Sequence, residues 1–187
     1  MSYTPRGKRR LPAADLPWED LRVEFNSGIS PASNPPQRVA YKGGLVSAFE
    51  DEGVNEDTVT FQVQLPHNYA EGTDIEPHIH WAGEDNTAGN VKWIFTYSWA
   101  NIGAAFPGET SDTAIGANPA TDVHTLTEFT QINGAGKTVS SVMICRLSRN
   151  STDGDDTFTA KDAYGLYFDF HYQIDSMGSD LDDQKDI

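Results

Sequence analysis

The chain has 187 residues and a mass of 20.5 kDa, enough for one domain with a core of its own and cramped for two. Hydrophobic residues make up 37%, and Gly, Ser, Thr, Asn and Asp are plentiful, which suits strands joined by turns and not a helix bundle. A formal net charge of −15 sets the body against phosphate backbones and argues against nucleic acid as its partner.

Six of the ten prolines, Pro5, Pro12, Pro17, Pro31, Pro35 and Pro36, fall in the first 36 residues and block regular helix and central strand alike. Residues 1–37 are therefore expected to form an extended arm. Its first ten residues hold Arg6, Lys8, Arg9 and Arg10 and no acid, so 9 bases face 28 acids in the rest of the chain. Within the arm only Trp18 to Phe25 could hold local structure, with Trp18, Leu21, Val23 and Phe25 as docking anchors.

From residue 38 the hydrophobic pattern has a period of two, the mark of half-buried strands. Short strands are expected near residues 37–42 and 44–49. Next, Val59, Phe61, Val63 and Leu65 alternate with Thr60, Gln62 and Gln64, and Ile75, Pro77, Ile79 and Trp81 with Glu76, His78 and His80. The strongest alternation places Val91, Trp93, Phe95, Tyr97 and Trp99 on one face. Residues 101–120, rich in Gly, Ala, Asp and Thr, read as a long exposed loop. Strands resume near 122–132 and 139–147, and Leu166, Phe168, Phe170, Tyr172 and Ile174 mark the last. About eight strands without a helix predict an all-β fold, an antiparallel β-sandwich or jelly roll over residues 38–177 with an extended N-terminal arm. Residues 178–187 read as a flexible acidic tail.

The sharpest chemical signal is Gly72 followed by His78, His80 and Glu84, with Gly89 beyond. Two histidines at i and i+2 project from one face of a strand, and a Glu past the turn could complete a metal site. The spacing resembles the first motif of cupins, themselves jelly rolls. A cupin's second motif carries a further His within Pro-x-Gly-x-x-His, a setting that neither His124 nor His171 has. His78 and His80 are therefore read as polar-face residues bonded to neighbours, with no metal or other cofactor. A metal-dependent cupin-like enzyme using His78, His80 and Glu84 stands as an alternative.

Gly134-Ala135-Gly136-Lys137-Thr138 echoes the end of a phosphate-binding loop, but position 131 is Gln131 and a β-branched strand follows, so it reads as a hairpin turn. The acids Asp51, Glu52, Glu56 and Asp57, and Asp153, Asp155 and Asp156, lack calcium-loop spacing and read as solvated turns. Cys145, the single cysteine, lies in an apolar run and is expected to be a buried thiol. No nucleophile elbow or dinucleotide fingerprint is present, so no catalytic residues are expected. No run approaches the ~18 apolar residues of a membrane span, and the N-terminus lacks a secretory core, so neither a membrane partner nor export is expected.

Three segments, Pro77-His78-Ile79-His80-Trp81, the run Lys92 to Gly103 and the run Asp169 to Ser179, resemble a family of virion-associated proteins of tailed bacteriophages and prophages. The resemblance spans residues 70–179 and implies a β-rich building block of a phage particle, made in the host bacterial cytoplasm. The function expected is a capsid decoration, or cement, protein on the outer head surface. Its partners would be the major capsid protein and other copies of itself in a homo-oligomer, with Arg6, Lys8, Arg9, Arg10 and Trp18 making the contacts. A tail or fibre component binding host sugars through residues 101–120 is the alternative within the virion.

Overall fold

The structure, a computed structural model, describes residues 15–25, 34–51, 56–179, 181–182 and 184–185. Ten strands follow in order: β1 (Trp18–Glu24), β2 (Gln37–Tyr41), β3 (Gly44–Phe49), β4 (Asp57–Gln64), β5 (Ile75–Gly83), β6 (Gly89–Ala100), β7 (Thr110–Asn118), β8 (Thr125–Glu128), β9 (Val142–Arg149) and β10 (Ala163–Gln173). No helix among the described residues is long and apolar enough to cross a membrane.

The strands form two antiparallel sheets, one in the order β2-β3-β10-β5-β8 with β1 also on β10, the other in the order β4-β9-β6-β7. Four pairings are nested: β6 with β7, β5 with β8, β4 with β9 and β3 with β10. Strands β3 to β10 are thus one long antiparallel ribbon folded over on itself, which is the jelly-roll arrangement. The fold class read from the sequence is the one observed.

Alternation drives the sandwich, because residues two apart share a face and the apolar set must leave water. Val59, Phe61 and Val63 of β4, Val91, Trp93, Phe95 and Trp99 of β6, and Phe168, Phe170 and Tyr172 of β10 are all buried. Between the sheets, the Trp93 ring meets Phe49 edge-on at 5.1 Å and Phe95 stacks on Phe168 at 4.8 Å. Cys145 is buried in β9, and burial pushes its thiol pKa well up. At the end of β9, Arg149 is fully buried and forms two parallel hydrogen bonds to Asp156, both 2.9 Å.

Three expectations about elements are corrected. Trp18–Glu24, assigned to the arm, is a strand pairing residue for residue with Gln173 to Tyr167 of β10, because Leu21 and Val23 pack on the core. The second half of the 101–120 loop is strand β7, which pairs with β6 from Gly89 to Tyr97. The tail touches the sandwich: the Ser140 hydroxyl donates to the Asp182 carbonyl, His67 Nδ1 lies 3.0 Å from the Ser179 carbonyl, and Lys185 pairs with Asp175. Arg6, Lys8, Arg9 and Arg10 lie outside the described residues.

The remaining turn and loop expectations resolve into backbone hydrogen bonds. Residues 134–138 form a turn with Gly136 at φ 75°, but not the expected hairpin, since β8 and β9 on either side belong to different sheets; the Lys137 ammonium donates to the Trp99 carbonyl at 2.7 Å. Asp57 and Asp156, expected in solvated turns, are buried; they and Asp153 accept backbone N–H groups, while Lys92 bridges Asp153 and Asp155.

Candidate functional site

Outward residues of β1, β10, β5 and β8 form rows across the middle of the larger sheet. Register places Arg22 beside Asp169, Asp169 beside His78 and His78 beside Glu128. One row along, Tyr167 faces His80, and on the other side His171 lies between Asp20 and Glu76. Four of the five histidines meet here. His78 is within ring contact of His80 at 4.9 Å and of His171 at 4.5 Å, and His80 is 4.8 Å from His124.

Although this is the polar face of β5, its centre is buried. The side chains of His78, His80 and Asp169 are 4%, 12% and 2% exposed, because the Tyr167 ring stacks on His80 at 4.4 Å and the Arg22 guanidinium lies over Tyr167. Asp169 Oδ2 is 3.6 Å from His80 Nε2 and 3.9 Å from His78 Nε2, while Arg22 Nε approaches Oδ1 at 3.6 Å. Those separations exceed hydrogen-bond length. His80 Nε2 and Asp169 Oδ1 are buried without a hydrogen-bond partner.

Burial sets the protonation of the site. It lowers His78, helped by His171 and opposed by Asp169, and it brings His80 down to about 4 with help from His78, His124 and Arg22. Both imidazoles are therefore neutral at neutral pH. Burial raises Asp169, opposed by Arg22 and His78. The centre holds two neutral rings around one desolvated carboxyl.

The sequence placed His78 and His80 on one face of a strand, as they are, and the alternative that joined Glu84 to them does not match their placement. Glu84 lies past the end of β5, where its carboxylate accepts the Asp162 N–H at 3.1 Å, and it is not among the grouped ligand atoms of His78, His80 and Asp169. Asp169 is 91 positions from His78, and only the β5–β10 register brings them together. Its outward phase in the alternation of β10 was the available signal. Trp18 sits at the start of β1, 46% exposed and opposite Gln173, in phase with Asp20 and Arg22.

No protein-family model and no curated protein matches the sequence. Among solved structures, dimeric latent PorU from Porphyromonas gingivalis is similar at 11% identity and TM-score 0.41, over 92% of this chain; the chain spans 14% of the length of PorU. TmCBM61 in complex with β-1,4-galactotriose is similar at 14% identity and TM-score 0.37, over 90% of this chain and 99% of that one. The CBM22-1–GH10 modules of Clostridium thermocellum xylanase 10B, complexed with xylohexaose, follow at 13% identity and TM-score 0.35, over 83% of this chain and 27% of that one.

Proposed function

We propose that the protein is a structural component of a bacteriophage particle, a capsid decoration protein that fastens neighbouring subunits on the outside of the head. The observation that carries this reading is strand β1. Its seven residues pair with β10, so the basic segment before it, with Arg6, Lys8, Arg9 and Arg10, is rooted at a fixed place on the sandwich. A rooted cationic segment beside a body of opposite charge is suited to reach an acidic neighbour, whether capsid protein or a second copy of this chain. The three phage-like segments support it: they supply β5, β6 and β10, central strands of the two sheets.

The test is deletion of residues 2–17, which leaves β1 in place. Occupancy on purified tail-free heads, counted by quantitative mass spectrometry, is expected to fall while the sandwich stays folded. Undiminished occupancy would contradict the role of the arm. A second reading, a tail or fibre component that binds host-surface sugars, draws on Phe106, an aromatic 47% exposed in the turn between β6 and β7. Recovery of the protein in the tail fraction, and not in heads, selects that reading.

A further inference from the structure

The buried centre of the larger sheet sets two imidazole nitrogens around one carboxylate oxygen, at separations beyond hydrogen-bond length. His78 Nδ1 lies 3.4 Å from the Glu76 carbonyl, which can only accept, so this contact requires the proton on Nδ1 and leaves Nε2 as a bare lone pair. That lone pair faces the lone pairs of Asp169 Oδ2. His80 Nδ1 lies 2.6 Å from His124 Nε2. If His80 donates, its Nε2 is a second bare lone pair aimed at the same oxygen. If His124 donates, the His80 Nε2–H still finds no acceptor within bonding distance.

We propose that His78 Nε2, His80 Nε2 and Asp169 Oδ2 bind one divalent transition-metal ion of the zinc class. Two imidazole nitrogens and one carboxylate oxygen are the donor set such ions take. A tetrahedral ion with ligands at about 2.1 Å holds them roughly 3.4 Å apart. Here the two oxygen–nitrogen separations are 3.6 and 3.9 Å, and one ligand atom from each of the three residues lies within 4.8 Å of the others, so closing on an ion needs only side-chain adjustment. The outer contacts suit this role: the Glu76 carbonyl fixes the proton of His78 on Nδ1, His124 Nε2 can accept from Nδ1 of His80, and Arg22 approaches the other carboxylate oxygen. The ion joins β5 to β10 directly beside β1.

The test titrates the chelator-stripped full chain with Zn²⁺, and with Co²⁺ as the spectroscopic substitute, by calorimetry and visible absorption. One equivalent per chain is expected, together with a raised thermal midpoint. Asp169→Asn and His80→Gln are expected to weaken binding by about tenfold or more, whereas His67→Gln, at the one histidine outside the cluster, where the ring meets Ser140 and Ser179, leaves it unchanged. Absence of stoichiometric binding overturns the proposal, as does loss in His67→Gln with retention in Asp169→Asn. Should the buried variants fail to fold, X-ray absorption of the Zn²⁺-loaded wild type decides: at least two imidazoles with an oxygen ligand are expected, and fewer than two imidazoles rejects the site.

Discussion

Arg149 presents five N–H donors, and the fold provides an acceptor for each. Nε and one Nη2 proton take the two Asp156 oxygens, Nη1 serves the Phe49 and Lys161 carbonyls at 3.0 and 2.7 Å, and Nη2 also reaches the Phe158 carbonyl at 2.8 Å. One side chain thereby ties the end of β3 to the β9–β10 connection. Arg149→Ala leaves the buried Asp156 carboxylate without its cation and is expected to cost about 3–5 kcal/mol in urea denaturation, a large part of a domain's stability. Arg149→Lys is expected to recover little, since an ammonium cannot supply the planar fork. A loss near zero for either variant would refute this account. Nothing around Arg149 in the sequence announces burial, because its acceptors are mostly backbone carbonyls brought in from positions 49, 158 and 161.

At the scale of elements, β7 shows why part of the sheet escaped sequence reading. Its inward positions are Ala114, Gly116 and Asn118, small or polar residues that give no apolar alternation. They are small because the sandwich space there is taken by Trp81 and Trp93, both fully buried. A Cβ at Gly116 would stand 2.2 Å from Thr127 Oγ1 and 2.9 Å from the Trp81 ring, and Trp81 Nε1 donates to that same hydroxyl at 2.9 Å. Gly116→Ala is therefore expected to destabilise the fold by about 1–3 kcal/mol, with a shift in tryptophan fluorescence as Trp81 is displaced; an unchanged midpoint and spectrum would contradict it. By contrast β4, β5, β6 and β10 were legible, since each alternates large apolar residues with polar ones. β1 was hidden by the prolines of the N-terminal segment, of which only Pro17 borders the strand, and does so without preventing it.

Across the whole molecule, the tyrosines set the alkaline limit. Burial raises Tyr41, Tyr69, Tyr97, Tyr164 and Tyr172, and Tyr69, fully buried with its hydroxyl donating to the Thr73 carbonyl, is pushed up to about 12. In the unfolded chain these phenols ionise near ~10. Above that pH the unfolded state releases protons that the folded state keeps, so stability is expected to fall progressively between about pH 10 and 12. Urea midpoints measured from pH 8 upward check this, and Tyr69→Phe should shallow the decline; a flat profile would count against it. The candidate site is also a whole-molecule property: adjacent His78 and His80 are visible in one short segment, but Asp169, Arg22 and His124 join them only through the register of three other segments. The nested ribbon has a temporal consequence as well. Trp18 and Gln173 are partners 155 positions apart, so at a synthesis rate of about 5–20 residues per second β1 waits many seconds for β10 to leave the ribosome. Neither β1 nor β3 can take its place on β10 until β10 itself has been synthesised, so the root of the basic segment is locked only on chains translated through β10.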